Sequence, residues 1–134
     1  MIRFVSILVA ILLFCVADLA AQSSYTTEDK KAIKYYEQSA LQIRGRDFNG
    51  GIELLEKALL RDPAFIEAHL RLASAYKVLL RYDLAETQYR EALAVDSLSK
   101  LNFDTYFALG LMIYDKGEYK EARKYLSRYI QTNP

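Results

Sequence analysis

Residues 47–62, DFNGGIELLEKALLRD, return 34 positions later at residues 81–96 as RYDLAETQYREALAVD. An aromatic residue, a small residue, an apolar residue, an alanine, a leucine and an aspartate recur in register. A fixed period of this length is typical of stacked helical repeats, because each unit buries its apolar face only against its neighbours. A third copy starts at Glu118 after 37 positions, which predicts three additional residues near Ser97 to Asn102.

The apolar residues inside each copy predict helices. Between Ile66 and Leu80, the residues Leu70, Ala73 and Tyr76 recur at spacings of three and four, which places them on one helical face. Small residues at matching positions let two antiparallel helices approach closely, and a larger side chain there would destabilise the fold by about 1–3 kcal/mol. These small residues are Gly51, Ala73, Ala85, Gly110 and Ala122. We expect six helices, near residues 27–44, 48–61, 64–80, 82–95, 101–116 and 118–131.

From Ala32 to Pro134 these residues resemble the tetratricopeptide repeat. The middle copy carries the family's residues at Leu72, Ala73, Tyr76, Ala85, Tyr89 and Ala92, and the last copy at Tyr106, Leu109, Gly110, Ala122, Leu126 and Pro134. The first copy matches in its second helix, but its first helix fits only with one extra residue in the turn, near Gly45. The resemblance implies an all-α fold, an antiparallel helix-pair solenoid of about three repeats, at about residues 32–65, 66–99 and 103–134.

The N-terminal residues have the layout of a secretory signal peptide. Arg3 supplies a positive start, residues 4–17 carry no charge, and two alanines precede Gln22. The uncharged run is short for a helical bilayer span, which needs about 17–25 residues. We therefore expect cleavage before Gln22. The expected organisation is a signal peptide at 1–21, a charged lead segment at 22–31 and a tetratricopeptide repeat domain at 32–134.

Two alternatives stay open for this region. The uncharged run could remain uncleaved as an anchor. Cys15, the only cysteine, could instead be acylated, although the large Phe14 stands where a lipidation site has a small residue. In the cleaved form no cysteine is left for a disulfide or for catalysis. We expect an exported, periplasmic protein, with association with the outer membrane as a further alternative.

The charge balance argues against a nucleic-acid-binding protein. The formal net charge is only +1 at pH 7, and the lysines at residues 30–34 lie beside acidic residues, as on a solvated helix face. We therefore expect no nucleic-acid partner.

The sequence offers few groups for catalysis or for a metal ion. His69 is the only histidine, so no second histidine or mature-chain cysteine can share a zinc ion with it. We interpret His69 as a packing or hydrogen-bonding residue, against the alternative of a proton-transfer switch. The acidic residues of the second helices are expected to form a solvated outer surface; they are Glu53, Glu56, Glu86, Glu91, Glu118 and Glu121. We expect no enzyme, no cofactor and no metal site.

The resemblance places the binding surface in the concave groove lined by the first helix of each repeat. The family's groove positions fall on Tyr36, Ala40, Leu70, Ser74, Lys77, Phe107, Leu111 and Tyr114. Chaperone-binding members of the family hold a terminal carboxylate there with lysine and asparagine, and this chain lacks that clamp. We therefore expect an apolar and aromatic groove that binds an amphipathic helix or an extended segment of a protein partner. The alternative is that these residues pack against a helix of the same or another chain.

The last helix keeps apolar residues where a further repeat would stack. Tyr125, Tyr129 and Ile130 are predicted to form this C-terminal stacking face. We expect the face to meet a partner, a second copy of the chain in a homo-oligomer, or a downstream region.

We interpret the chain as a non-catalytic protein–protein interaction scaffold in the cell envelope. Its signal, lead segment and repeats are similar to the N-terminal portion of Gram-negative envelope proteins with OmpA-like C-terminal domains. The alternatives are a regulatory or accessory subunit of an envelope enzyme or secretion complex, and an N-terminal fragment of a larger peptidoglycan-tethered protein. The expected partner is a protein or peptide, with an envelope membrane complex as one candidate.

Overall fold

The computed structural model describes residues 25–132, so the predicted signal peptide and Cys15 lie outside the described residues. Within this range the chain forms six α-helices, one short 3-10 turn and no strand. The helices form three antiparallel pairs that stack into a solenoid, as the repeats predict. The helices are α1 (Lys30–Arg44), α2 (Phe48–Arg61), α3 (Ile66–Val78), α4 (Tyr82–Val95), α5 (Phe103–Asp115) and α6 (Tyr119–Thr132), and the 3-10 turn is Lys100–Asn102.

The sequence predicted the bounds of α2 and α4 and missed the others by one to three residues. Helix α1 begins three residues later than expected because Asp29 is its cap: the Asp29 carboxylate accepts the N–H of Ala32 at 2.8 Å. Arg61 donates to the same carboxylate at 2.8 Å, and this hydrogen bond, together with that from Ala32, lowers the pKa of Asp29.

The three turns within the helix pairs have one geometry. Each is three residues long, at residues 45–47, 79–81 and 116–118, and its middle residue is left-handed, with φ of 65° at Arg46, 58° at Leu80 and 83° at Gly117. The residue after it donates back across the turn, for example Arg81 to the carbonyl of Tyr76 at 2.8 Å. The expectation of an extra residue near Gly45 is therefore wrong, because the first turn has the same length as the other two.

The first helix departs from the pattern through its side chains and not through the length of its turn. Ser39 stands at the position of Ala73 and Gly110, and it is fully buried like them. Its hydroxyl donates to the carbonyl of Tyr36 at 2.6 Å, so the polar group is satisfied inside α1. The helix therefore packs like its counterparts although its residues differ.

The connection between the second and third pairs confirms the predicted insertion. Residues 96–102 link α4 to α5 and outnumber the matching link, residues 62–65, by three. The buried Asn102 holds the longer link, since its side-chain amide donates to the carbonyls of Ala92 at 2.9 Å and Asp96 at 2.6 Å. Tyr106 adds a hydrogen bond from its hydroxyl to the Ser97 carbonyl at 2.8 Å.

Close helix approach at the small residues is also confirmed. A Cβ added at Gly51 would lie 2.5 Å from the Ile43 side chain, and one added at Gly110 would lie 2.6 Å from that of Leu126. Neither approach leaves room for a side chain without displacement of a neighbour. These contacts fix the angle between the two helices of a pair, and therefore the way in which each first helix faces the groove.

The lead segment packs on the repeats from Tyr25 onward. The Thr26 hydroxyl accepts the N–H of Ile66 at 3.0 Å and donates to Glu67, and the Thr26 N–H donates to the same carboxylate at 3.0 Å. Thr26 thus caps α3, whose own N-cap residue, Phe65, makes no side-chain capping bond. The Tyr25 ring lies 5.9 Å from the ring of Phe65.

Candidate protein-binding groove

Three predicted groove residues meet at one open cavity. Tyr36 on α1 and Leu70 and Ser74 on α3 line a space of about 430 Å³ together with Glu67, Arg71 and Leu101. The cavity lies between the first helices of two repeats, and the 3-10 turn before α5 contributes Leu101. Three of these six side chains are apolar or aromatic, and the other three supply a hydroxyl, a carboxylate and a guanidinium.

Arg71 contributes the positively charged group in the lining of this cavity. Its guanidinium lies 3.6 Å from the centre of the Tyr36 ring and donates to the Tyr36 carbonyl at 2.8 Å. Burial raises the pKa of the Tyr36 hydroxyl, and the nearby Arg71 charge opposes that change. The planar guanidinium on an aromatic face is a favourable cation–π arrangement. Arg71 thus holds α1 against α3 and places a positive charge in the lining of the cavity, beside Tyr36 and Leu70.

The third repeat supplies an apolar stripe along α5. Phe107, Leu111 and Tyr114 follow one another at spacings of four and three, which places them on one face, and they are 43%, 43% and 53% exposed. The Phe107 ring lies 5.2 Å from that of Tyr129, and the Tyr114 ring lies 5.1 Å from that of Tyr119, both on α6. Aromatic residues of α6 therefore support both ends of the stripe.

The remaining predicted groove residues stand apart from this cavity. Lys77 is exposed one turn beyond Ser74, and Ala40 is half-buried on α1; neither lines the cavity. Sequence reasoning missed Arg71 and Glu67, although both share the helical face of Ser74 at spacings of three and seven. Leu101 could not have been found, since it belongs to the inserted connection and has no counterpart in the other repeats.

The predicted C-terminal stacking face is more covered than expected. Tyr125 and Tyr129 are half-buried, and the Tyr125 hydroxyl accepts a hydrogen bond from Arg90 at 2.8 Å. Ile130 is 71% exposed. Only Ile130 of the three therefore presents most of its side chain to the surroundings.

Two carboxylates expected on a solvated surface instead join helices. Glu86 on α4 accepts from Lys116 at 2.7 Å and from Arg90 at 2.8 Å, and Arg90 also reaches Glu121 on α6 at 3.1 Å. Lys116 further pairs with Asp83 at 2.7 Å. The expectation of a solvated outer surface is wrong for Glu86, whose side chain is only 14% exposed because cations of neighbouring helices cover it. The side chain of Glu121 is 39% exposed and stays at the surface.

These contacts shift the pKa values of the charged groups. Burial alone would raise the pKa of Glu86, but the hydrogen bonds from Lys116 and Arg90 outweigh it, so this pKa lies below its usual value. The hydrogen bond from Lys116 likewise lowers the pKa of Asp83. The hydrogen bonds to Asp83 and Glu86 raise the pKa of Lys116. The third repeat is thus held to the second by ionised groups near neutral pH.

His69 links two elements of the scaffold. Its Nδ1 lies 2.8 Å from Oε1 of Gln88 on α4, and its Nε2 lies 2.9 Å from the carbonyl of Pro63. The side chain is buried, with a polar group beside each ring nitrogen. These contacts are those of the predicted packing and hydrogen-bonding residue.

Residues 25–132 hold no cluster of metal-ligating side chains. No group of three or more histidine, cysteine, aspartate or glutamate side chains in this range is placed so that it could hold a metal ion. Among the described helices, none has the length and apolar character needed to cross a membrane.

Comparison with known proteins first gives a family and a curated relative. Residues 71–134 match the tetratricopeptide repeat family. The type IV pilus assembly protein PilF of Pseudomonas aeruginosa is 37% identical over 68 residues, which are 51% of this chain and 26% of PilF. The chain therefore spans about a quarter of the length of this relative.

Solved structures share the architecture. A crystal structure of MamA has a TM-score of 0.70 at 20% identity and covers 76% of this chain and 58% of MamA. The first TPR of Spaghetti (RPAP3), bound to the HSP90 peptide SRMEEVD, has a TM-score of 0.70 at 21% identity, over 81% of this chain and 83% of that one. MamA of Desulfovibrio magneticus RS-1 has a TM-score of 0.65 at 17% identity and covers 78% of this chain and 58% of that one. At these identities the likeness shows the fold, a helical solenoid of the tetratricopeptide type, and the family match shows that residues 71–134 are tetratricopeptide repeats.

Proposed function

We propose that this protein is a non-catalytic scaffold of the cell envelope that binds a segment of a protein partner in its concave groove. The observation that carries the proposal is the exposed stripe of Phe107, Leu111 and Tyr114 on a first helix of the solenoid. Large apolar side chains half in contact with water gain the most from a partner that covers them. Partner binding in this fold has a precedent in the Spaghetti (RPAP3) repeat that is bound to an HSP90 peptide.

The stripe favours a partner with two or three large apolar side chains. Positions separated by seven residues on a helix span about 10 Å, which matches one face of two helical turns of a partner. An amphipathic helix would place apolar residues at the same spacings, in the helix-in-groove mode. Arg71 adds a place for one acidic or carbonyl group beside the apolar wall.

The envelope assignment rests on sequence. The N-terminal residues have the layout of an export signal, and the relative PilF is named as a type IV pilus assembly protein. Both support an exported, periplasmic protein. They also favour an accessory subunit of an assembly or secretion complex over a fragment of a peptidoglycan-tethered protein. A partner that copurifies with such a complex would distinguish this role from that of a free-standing scaffold.

Site-specific crosslinking tests the groove directly. A photoreactive amino acid replaces Leu111 in the groove or, as the control, the exposed Glu91 on α4, and the crosslinked partner is identified by mass spectrometry. We expect the partner to crosslink from position 111 and not from position 91. Its affinity is then measured against the variant Leu70→Ala/Leu111→Ala/Tyr114→Ala.

We expect the groove variant to bind at least about thirtyfold more weakly, which corresponds to about 2 kcal/mol, with unchanged helical content by circular dichroism. Glu91→Lys should leave the affinity within about twofold, because an exposed charge away from the interface contributes little. Crosslinking from position 91, or an equal loss from both variants, would place the binding surface elsewhere.

A further inference from the structure

The outer face of α6 carries four basic side chains that have no acidic partner among the described residues. They are Lys120, Arg123, Lys124 and Arg128. The acidic residue within this helix, Glu121, pairs with Arg90 of α4 at 3.1 Å, and its side chain is 39% exposed. Glu118 and Glu121 line the same surface space as Lys120, Arg123 and Lys124, but neither forms an ion pair with them. Arg128 and Lys124 also lie on the other side of the helix, away from these two carboxylates.

The other second helices carry different charges at the matching places. On α2, Lys57 meets Glu53 at 2.6 Å, and these two positions correspond to Arg128 and Lys124. On α4 the same two positions hold Glu91 and Thr87. The outer surface thus changes sign along the solenoid. On α6 the like charges at spacings of four repel one another, a cost that an acidic ligand would remove.

A cleft beside two of these cations gives the surface a shape. Lys124 and Arg128 border a space of about 420 Å³ between α6 and the inserted connection, with Ser97, Ser127 and Gln131 adding hydroxyl and amide groups. Among residues 25–132, no carboxylate lines this cleft. Tyr106 lines one side of the cleft, and its hydroxyl donates a hydrogen bond to the Ser97 carbonyl, which holds the ring in place. Cations next to hydrogen-bonding groups in a concave site suit a carboxylate ligand.

We propose that this face of α6 binds an acidic, extended segment of a partner protein, at a site separate from the groove. Lys124 and Arg128 are one helical turn apart, about 6 Å along the axis. Carboxylates at alternate residues of an extended chain lie about 6–7 Å apart on one side, so two of them reach both cations together. Ser127 and Gln131 then meet the backbone groups between them.

The apolar side chains of α6 argue against a membrane surface as the occupant. Ala122 is buried and Leu126 is half-buried in the fold. The apolar side chains of α6 that are more than half exposed are Tyr119 and Ile130, at its two ends, and they form no continuous apolar face to insert among lipid chains. A second copy of the chain that lays its α1 over these four cations is also disfavoured. Its α1 would bring Lys30, Lys31, Lys34 and Arg44 against a helix of the same sign. An acidic protein segment meets neither obstacle.

Peptide binding tests the proposal. The probe is a fluorescent peptide of alternating glutamate and serine, with a glutamine-and-serine peptide as its neutral match, and anisotropy is read at about 0.05 M salt, where screening is weak. The site variant is Lys124→Glu/Arg128→Glu. The matched control, Lys31→Glu/Lys34→Glu on α1, makes the same change in net charge, and circular dichroism confirms that both variants are folded.

We expect the acidic peptide to bind the unchanged protein and the neutral peptide not to bind. The α6 variant should bind at least about tenfold more weakly, and the α1 control should stay within about twofold. Leu111→Ala in the groove should leave the peptide affinity unchanged. The proposal is overturned by equal losses in the two charge variants, by no binding of the acidic peptide, or by phosphatidylserine vesicles that compete the peptide away and bind more tightly.

Discussion

The ring of Tyr129 lies 5.2 Å from the ring of Phe107, at the repeat position where Ala58 and Ala92 stand in the earlier copies. Both alanines are 0% exposed, because the first helix of the next pair approaches closely there. A tyrosine at this position fills the space that such a helix would need. The third pair therefore presents a different surface from the first two, with an aromatic pair where the others have a helix contact.

This relationship predicts an energetic coupling between the two rings. Tyr129→Ala and Phe107→Ala should each lower the free energy of unfolding, since each removes apolar contacts. The double variant should lose about 0.5–1.5 kcal/mol less than the sum of the single losses, because the ring–ring interaction can be removed only once. Urea denaturation of the four proteins measures the coupling. Strict additivity would show that the rings do not interact in solution.

The exposed Ile130 predicts association through the last helix. We expect Ile130→Glu to reduce self-association of concentrated protein, measured by light scattering, because it places a charge on the apolar stacking face. Leu60→Glu on α2 is the matched control, since Leu60 is 84% exposed and lies away from that face. An unchanged protein that stays monomeric at high concentration would contradict this prediction.

The left-handed turn residues predict opposite effects of glycine and alanine. Leu80 has a φ of 58°, a conformation that costs a residue with a side chain about 1–2 kcal/mol and costs glycine little. Leu80→Gly should therefore stabilise the protein by about 0.5–1 kcal/mol in thermal unfolding, after the entropy that glycine adds to the unfolded chain. Gly117→Ala should destabilise it by about 1 kcal/mol, because a residue with a side chain is strained at a φ of 83°. No described atom lies within 4 Å of the added Cβ, so this loss comes from the backbone and not from a clash. A stabilising Gly117→Ala would contradict the described turn.

The Lys116 contacts predict a loss of stability in acid. The pKa values of Glu86 and Asp83 are lower in the folded protein than their ordinary values of 4.5 and 3.8, so their contribution is fully present above those values and is lost as the pH falls through the folded values. The raised pKa of Lys116 works at the other end: its contribution is present at neutral pH and is lost only in strong base.

Replacement of Lys116 tests this pH dependence. Lys116→Met should be less stable than the unchanged protein at pH 7, and the gap should narrow below about pH 4, where the carboxylates take up protons in both proteins. Lys120→Met is the control, because Lys120 has no acidic partner in the described range, and it should show no such gap. A gap that is independent of pH would mean that Lys116 acts through packing alone.

The sequence was sufficient for the helices and insufficient for contacts between them. Helices α2 and α4 could be predicted to the residue because both follow a three-residue turn and precede an aspartate in a repeated frame. Glu86 was misjudged because its helical position points outward. Lys116, which covers it, lies 30 residues away on the next pair. The spacing of the repeats assigns a residue to one face of its helix. It does not predict which long side chain from a neighbouring helix pair reaches that face.

The groove shows the same limit. Leu70 and Ser74 could be placed on one wall because their helical face follows from spacing. Arg71 was missed because its place in the cavity depends on its stacking against Tyr36 of another helix, and repeat positions do not predict that contact. Leu101 was missed because an inserted link has no repeat partner from which its direction could be inferred.

The hydrogen bonds of Thr26 have a mechanical consequence. They join the chain before α1 directly to the start of α3, across 41 residues of sequence, and bypass the whole first helix pair. A pull on the N-terminal side of Thr26 would therefore load the Glu67 carboxylate on the groove wall at the same time as it strains α1. Tension at that end of the molecule would reach the cavity between α1 and α3 first, because Glu67 both accepts from Thr26 and lines that cavity.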